Sequence, residues 1–268
     1  REVGLHAPEV LAEDAQRGFV LMSDLGHTHY LEMLNEDNAD ALYGEAMDAL
    51  LIMQRDIEVG SLPTYDAAML HNEVQLMTEW FLGRHLGIHP DATDRGMLEA
   101  AFDHLIESAT SQQQVFVHRD FHSRNLLHTE TNTPGIIDFQ GAVRGPITYD
   151  LASLLRDCYI RWPLARVESW VETYRRRLLD EGMIMAGLDR ARFLEAFNRM
   201  CLQRHIKVLG IFCRLHYRDG KAGYLKDLPR VFDYIQDVAA RQPQVQMLAR
   251  FLRRCVGDRD LTLPLTQA

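Results

Sequence analysis

The chain has 268 residues and a formal net charge of −9 at pH 7, with 47% hydrophobic and 25% charged residues. This composition is ordinary for a globular protein, and the negative balance disfavours a general nucleic-acid binder, which normally carries a basic face. No apolar run predicts a transmembrane helix, and the 4 cysteines are scattered, so we predict free thiols and a cytoplasmic protein without a membrane or nucleic-acid partner.

The first part of the chain is predicted to be mainly helical after one short strand. An apolar run at residues 17–22 predicts a strand that leads into a turn at residues 23–26. Apolar residues at helical spacing then predict three helices, over residues 40–57, 66–85 and about 95–109. Thr64 or Asp66 is the candidate N-cap of the second of these helices.

The periodicity changes in the middle of the chain and then becomes helical again. Short apolar runs bounded by turn residues predict three strands, over residues 115–117, 125–128 and 135–138. Gly141, Gly145 and Pro146 predict a loop after the third strand. Apolar spacing then predicts five helices, over residues 149–160, 163–181, 189–218, 225–241 and 243–255. We therefore expect a mainly helical domain that contains a small β insertion.

The predicted β insertion carries two polar motifs. The run His118-Arg119-Asp120-Phe121-His122-Ser123-Arg124-Asn125 lies between the first two strands, and Asp138-Phe139-Gln140 follows at the end of the third. Phosphoryl transfer from a magnesium nucleotide needs a carboxylate that accepts the proton of the attacking hydroxyl, and oxygen ligands that hold Mg²⁺ on the phosphates. The order and spacing of these residues therefore predict a kinase catalytic site.

Each polar residue of these motifs has a candidate role. Asp120 is suited to orient the substrate hydroxyl and to act as a base. Asn125 and Asp138 offer the hard oxygen atoms that Mg²⁺ prefers, and His122 can donate a hydrogen bond to the transferring phosphate. Any one of these residues alone is more often an ordinary loop residue, because loops favour Asp and Asn. The interpretation therefore depends on the whole set.

The distribution of lysine sets a limit on this interpretation. Lysine occurs only at Lys207, Lys221 and Lys226, and no glycine-rich loop occurs in the first 110 residues. Kinases normally place a lysine and a glycine-rich loop against the nucleotide phosphates. We expect that this chain holds the catalytic and metal side of the site and that part of the nucleotide clamp was on a missing segment. The alternative is an inactive pseudokinase or ligand-binding module.

The two polar motifs resemble those of the aminoglycoside phosphotransferase and choline kinase superfamily, the small-molecule relatives of protein kinases. The resemblance runs from about residue 17 to 160 with specific motifs, and more loosely through the C-terminal helices. It implies an α+β, protein-kinase-like fold with a truncated β-containing N-lobe and hinge in residues 1–26. It further implies a large, mainly helical C-lobe in residues 27–268, with the catalytic β insertion at about 115–140.

The resemblance also implies cofactors and roles for the motif residues. ATP and Mg²⁺ are the expected cofactors, with Asp120 as the base and with Asn125 and Asp138 as metal ligands. The segment Tyr149-Asp150-Leu151-Ala152 is similar to one in which the Asp braces the catalytic loop and takes no part in the chemistry.

The segment from Phe19 to Gly26 resembles the hinge between the two lobes of these kinases. This resemblance implies that Met22 lines the adenine pocket and that the Ser23 carbonyl and the Leu25 amide face the adenine. The family's earlier strands, phosphate loop and lysine have no counterpart in this chain.

Within the superfamily, the amino-acid sequences of these motifs are most similar to those of bacterial cell-wall sugar kinases. That similarity implies ATP-dependent phosphorylation of the anomeric (C1) hydroxyl of N-acetylmuramate and N-acetylglucosamine in peptidoglycan recycling. A muramate carboxylate would suit an arginine, because the planar guanidinium matches a carboxylate. The candidates are Arg124, Arg156 and Arg204.

Other substrate contacts and other substrates stay open. Asp157 and His205 are further candidates for substrate contact. Arg156 and Asp157 are equally suited to a surface ion pair, and His205 to the packed face of a helix. An aminoglycoside or amino-alcohol phosphotransferase is the alternative enzyme, since Asp103, Glu107 and Asp157 could contribute to a pocket for a cationic substrate.

Overall fold

The structure is a computed structural model and describes residues 1–265. The last three residues of the C-lobe predicted for 27–268 lie outside the described residues. Within the described chain there are two compact units, each built from two segments. Unit 1 comprises Arg1–Thr64 and Gln113–Leu194, and unit 2 comprises Tyr65–Gln112 and the described residues from Glu195 onward. None of the helices in residues 1–265 has the length and apolarity needed to cross a membrane.

The elements follow one another as a pair of strands, a run of helices, a group of four strands and a second run of helices. The strands are β1 (Val10–Asp14), β2 (Phe19–Met22), β3 (Gln114–Val117), β4 (Leu126–Leu127), β5 (Gly135–Ile136) and β6 (Val143–Pro146). The α-helices are α1 (Tyr30–Met33), α2 (Ala39–Asp56), α3 (Ala67–Leu76), α4 (Ala92–Thr110), α5 (Tyr149–Leu155), α6 (Leu164–Asp180), α7 (Arg190–Tyr217), α8 (Leu228–Ala239) and α9 (Gln246–Val256). Among the described residues, a π-helix lies at Met77–His85, and 3₁₀ turns lie at Ala222–Asp227 and Pro243–Val245.

The strands belong to unit 1 and form two-stranded antiparallel sheets that pair β1 with β2, β3 with β6, and β4 with β5. The loop predicted around Gly145 and Pro146 was wrong, because this segment is β6 and places Gly145 opposite Val115 of β3. Proline donates no backbone hydrogen bond, so it is tolerated only at an edge or an end of a strand. Pro146 is the last residue of β6.

The helix predicted over residues 149–160 was wrong at its C-terminal end, because α5 stops at Leu155. Arg156 leaves the helical region, with φ −120° and ψ 47°. The Asp157 carboxylate then accepts a hydrogen bond from the Tyr159 backbone N–H at 3.0 Å. A side-chain acceptor of this kind competes with continued helical hydrogen bonding, and apolar periodicity does not reveal it.

A buried glutamine links α2 to two other parts of unit 1. Gln54 donates to the Ile147 carbonyl at 2.9 Å and accepts from the Tyr174 hydroxyl at 2.8 Å. Both of its polar groups are thereby satisfied in a position that is only 5% exposed. Ile147 lies between β6 and α5, so this contact holds the segment that leads to α5 against α2.

In unit 2, α7 packs directly on the backbone where α3 becomes the π-helix. Asp66 caps α3 by accepting from the Met69 N–H at 2.9 Å, which confirms one of the two predicted caps. The predicted helix over 66–85 changes to π-helical hydrogen bonding at Met77. A Cβ atom at Gly210 would overlap the backbone of Leu76 and Met77, so only glycine allows this close approach.

Candidate active site

The catalytic-loop motif begins where buried strand β3 ends in a left-handed turn. Arg119 has φ +76°, a conformation that costs a non-glycine residue about 1 kcal/mol or more. The buried Asp150 carboxylate of α5 accepts the backbone N–H groups of His118 at 2.6 Å and Arg119 at 3.0 Å. The bracing predicted for Asp150 is therefore found, and the turn leaves Asp120 exposed to solvent.

Asn125 joins the two polar motifs. Its side-chain amide nitrogen donates to the Asp120 carbonyl at 3.0 Å and to Asp138 Oδ2 at 3.2 Å. Neither bond uses the amide oxygen of Asn125, so that oxygen is available to a ligand. Asp138 itself has φ +68°, and its Oδ1 accepts from Gln140 Nε2 at 2.7 Å. The structure thus brings Asp120, Asn125 and Asp138 into one exposed cluster.

The donor set of this cluster fits Mg²⁺. Within residues 1–265, no group of three or more His, Cys, Asp or Glu side chains is arranged to hold a metal ion. A carboxylate at Asp138 and an amide oxygen at Asn125 are the few hard ligands that Mg²⁺ uses when phosphate oxygens and water complete its shell. Such a pair suits a metal that arrives with a nucleotide better than one held by protein alone.

The buried carboxylate of Asp157 is engaged inside unit 1. Its Oδ2 accepts from the backbone N–H of Ser123 at 3.0 Å and from the Ser123 hydroxyl at 2.5 Å. Its Oδ1 accepts the Tyr159 N–H at 3.0 Å. Asp157 is only 1% exposed, so both oxygens face the catalytic loop and the segment after α5.

Tyr159 lies against two side chains of the catalytic loop. The ring of His122 meets it edge-on, with centroids 5.5 Å apart and planes at 76°. The guanidinium carbon of Arg124 lies 3.7 Å from the centroid of the Tyr159 ring. No local sequence pattern around Tyr159 indicates these contacts, because its partners lie in a loop much earlier in the chain.

His118 is buried beneath the loop, and this burial lowers its pKa to about 4. The charges of Asp120 and Asp138 raise this pKa and that of His122 lowers it, all by less than the effect of burial. The imidazole is consequently neutral at physiological pH. Together with Phe139 it lines a mainly apolar cavity of about 440 Å³ in unit 1.

The predicted hinge residues lie at the end of β2 and directly after it, and Leu25 among them packs against the β4–β5 hairpin. The Ser23 N–H donates to the Glu9 carbonyl at 2.9 Å, and the Ser23 hydroxyl accepts from the Glu9 N–H at 2.8 Å. These bonds do not use the Ser23 carbonyl. A Cβ at Gly135 would lie 3.2 Å from Leu25 Cδ1, so the Leu25 side chain packs against β5. Met22 is 50% exposed at the end of β2.

The contact of Leu25 with Gly135 brings this predicted nucleotide residue beside the strand that precedes Asp138, because Gly135 lies three residues before Asp138. The arginine and histidine candidates for substrate contact other than Arg124 are buried. Arg156 follows the end of α5 and is 3% exposed. Arg204 and His205 lie on α7 in unit 2, and His205 stacks on Tyr234 with centroids 4.8 Å apart.

Comparison with known proteins identifies the family. The model of the APH family, described as a phosphotransferase enzyme family, matches residues 1–194. An N-acetylmuramate/N-acetylglucosamine kinase of Pseudomonas putida is 44% identical over 252 residues, which cover 92% of this chain and 73% of that protein. A protein of the same name from Neisseria meningitidis is 37% identical over 267 residues, with coverage of 98% and 79%.

Solved structures with the same fold include other small-molecule kinases. An ethanolamine kinase of Plasmodium vivax has a TM-score of 0.59 at 11% identity, and covers 85% of this chain and 68% of its own. An aminoglycoside phosphotransferase in complex with gentamicin has a TM-score of 0.57 at 14% identity, with coverage of 85% and 74%. At such identities the likeness shows a shared protein-kinase-like fold alone. On the family match and the two bacterial relatives, this chain belongs to the phosphotransferase enzyme family and is a small-molecule kinase.

Proposed function

We propose that this protein is an ATP- and Mg²⁺-dependent sugar kinase that phosphorylates the anomeric (C1) hydroxyl of N-acetylmuramate and N-acetylglucosamine in peptidoglycan recycling. The observation that carries the proposal is the extent of the similarity to kinases named for these two sugars. Their identity of 44% and 37% extends over 92% and 98% of the chain. It therefore reaches beyond residue 194, where the match to the general family model ends.

In this proposal Asp120 orients the C1 hydroxyl and accepts its proton. An anomeric hydroxyl is more acidic than an ordinary alcohol, so a nearby carboxylate suffices as the base. The exposure of Asp120 at the tip of a braced turn supports this role. His122 would donate a hydrogen bond to the transferring phosphate, next to the carboxylate that acts as base.

Asn125 and Asp138 would hold Mg²⁺ through the amide oxygen and the carboxylate. Mg²⁺ held by these two side chains would supply positive charge that offsets the negative charge developing on the phosphates during transfer. The contact between the two side chains at 3.2 Å supports their acting as a pair. Gln140, which donates to the second oxygen of Asp138, would orient that carboxylate.

The hinge side of the site would bind the adenine of ATP. We propose that Met22 lines the adenine pocket, and that the Ser23 carbonyl and the Leu25 amide hydrogen-bond to the ring. The orientation of the Ser23 bonds to Glu9, which use its N–H and hydroxyl, supports this assignment. Residues 1–26 would then form the nucleotide side of the site. Because the proposed reaction uses ATP, the protein would act in the cytoplasm.

The remaining predicted contacts receive different roles in this proposal. Arg156 and His205 are buried, and we assign neither a substrate contact. Asp157, whose two oxygens are bonded to Ser123 and Tyr159, would support the catalytic loop. The substrate itself would be a small amino sugar.

The test is the identity of the product formed by the full-length protein with Mg-ATP and N-acetylmuramate. ³¹P NMR is expected to show a sugar 1-phosphate whose phosphorus couples to the anomeric proton. An ester at C6, or absence of turnover with both amino sugars, would contradict the proposal. Aminoglycosides and choline, assayed in parallel, separate it from the alternative phosphotransferases.

The variant Asp120→Asn distinguishes an enzyme from a ligand-binding module. Removal of the base is expected to lower kcat by about 100-fold or more while nucleotide binding persists. Asp180→Asn, at an exposed carboxylate at the end of α6, is the matched control. Equal turnover by wild type and the Asp120 variant would contradict the role of Asp120.

A further inference from the structure

We propose that Arg124 recognises a carboxylate on the substrate, and that Tyr159 and Asp157 hold Arg124 in position to do so. The inference rests on the proposed function and deepens it. N-acetylmuramate is N-acetylglucosamine with a lactyl ether, and the carboxylate of that ether is ionised at neutral pH. Recognition of this carboxylate would determine the preference between the two sugars.

Arg124 is a partly buried cation inside the catalytic loop, directly before Asn125. Its guanidinium lies over the Tyr159 ring at 3.7 Å. Among residues 1–265, no carboxylate forms an ion pair with it. Stacking uses the face of the guanidinium and leaves the N–H groups at its edge free to form a bidentate contact. A ligand carboxylate would supply the missing anion.

A single buried carboxylate fixes both partners of this stack. Asp157 accepts two hydrogen bonds from Ser123, the residue before Arg124, and one from the backbone of Tyr159. The base of the Arg124 side chain and the ring beneath it are therefore held by the same side chain. This arrangement reduces the freedom that a long arginine would lose on binding a ligand.

The other two candidate arginines are less available. Arg156 is 3% exposed and Arg204 is 5% exposed. Each already takes part in interactions within the protein. Arg124 is thus the candidate that combines partial exposure, a fixed orientation and an unpaired charge among the described residues.

The experiment measures kcat/KM of the full-length protein for N-acetylmuramate, its uncharged carboxamide and N-acetylglucosamine. For wild type we expect the kcat/KM for N-acetylmuramate to exceed the kcat/KM for its carboxamide by about tenfold or more, because a bidentate charge-assisted contact is lost in the amide. For Arg124→Gln we expect this ratio to approach one, mainly through a higher KM for N-acetylmuramate. Arg124→Lys should recover the ratio only in part, since a point charge lacks the planar fork.

The positioning roles of Tyr159 and Asp157 are tested by the same ratio of kcat/KM for N-acetylmuramate to kcat/KM for its carboxamide. Tyr159→Phe keeps the ring and is expected to keep the ratio, whereas Tyr159→Leu should lower it. Asp157→Asn replaces one acceptor oxygen by a donor facing an N–H group, and should raise the KM for N-acetylmuramate more than it lowers kcat. The control is Arg254→Gln, an exposed arginine over Phe251 at 5.7 Å on α9, which should leave the ratio unchanged.

Two outcomes would overturn the inference. One is a wild-type ratio of about one between N-acetylmuramate and its carboxamide, which needs no variant and therefore no assumption about folding. The other is an Arg124→Gln ratio equal to that of wild type. Failure of the proposed function has a different signature, because wild type would then turn over neither N-acetylmuramate nor N-acetylglucosamine.

Discussion

The Asp150 carboxylate accepts the backbone N–H of Arg119 at 3.0 Å and thereby stabilises a residue in the left-handed region, at φ +76°. A second bond, from the His118 N–H at 2.6 Å, uses the other carboxylate oxygen. Asp150 is fully buried at the start of α5, so the helix fixes the direction in which the catalytic loop leaves β3. The exposed position of Asp120 follows from this contact.

Asp150→Ala is expected to lower the free energy of unfolding by about 3 kcal/mol, because two buried backbone N–H groups lose their acceptor. It should also lower kcat, since Asp120 loses its fixed direction. Urea unfolding and steady-state kinetics provide the measurements. Asp180→Ala, at an exposed carboxylate of the same unit, should stay within about 0.5 kcal/mol of wild type. Similar stability of the two variants would show that Asp150 does not brace the loop.

Gln140→Ala is expected to raise the Mg²⁺ concentration needed for half-maximal rate about 10- to 100-fold, because Asp138 loses the side chain that orients its carboxylate. Asp138→Asn should have a larger effect, since it removes the charge that holds the metal. The measurement is the reaction rate as a function of Mg²⁺ concentration at fixed ATP. An unchanged Mg²⁺ dependence in Asp138→Asn would exclude this residue as a ligand.

Acid is expected to destabilise the protein in part through His118, whose pKa burial lowers to about 4 from the ordinary 6.5. The neutral form is favoured in the folded state, so stability is full above about pH 6.5 and is lost as the pH falls towards about 4. The loss by pH 4.5 would be about 2–3 kcal/mol from this group.

The measurement for His118 compares unfolding free energies at pH 7 and pH 4.5 in wild type and His118→Phe. The variant retains an aromatic ring against Phe121, which lies edge-on to His118 at 5.8 Å. Its stability should fall by about 2–3 kcal/mol less than that of wild type over this interval. The same fall in both proteins would assign the acid sensitivity to other groups.

Gly210→Ala is expected to destabilise unit 2 by about 3 kcal/mol or more, because the added methyl overlaps the backbone of Leu76 and Met77. The matched control is Gly44→Ala in α2, where an added Cβ meets nothing within 4 Å. That change should stabilise the protein by up to about 1 kcal/mol, since alanine is the better helix former. Thermal or urea unfolding measures both variants, and a Gly210→Ala protein as stable as the Gly44 variant would contradict the packing.

Local sequence signals predicted much of the fold. Helix α2 was expected over residues 40–57 and is found at Ala39–Asp56, because apolar residues at helical spacing require no distant partner to be recognised. The Asp66 cap was predictable for the same reason. In contrast, β6 contains Gly145 and Pro146, and only its pairing with β3 makes it a strand.

For the site, the order of amino acids specifies the kinds of chemical group and their spacing: a carboxylate at Asp120, an amide at Asn125 and a second carboxylate at Asp138. Chemistry and spacing along the chain are local properties, so they can be read without a structure. It is the folded chain that places the Asp157 carboxylate on Ser123 and the Tyr159 ring against the Arg124 guanidinium. Those contacts join residues far apart in the chain, and they form because buried polar groups must find partners wherever folding brings them together.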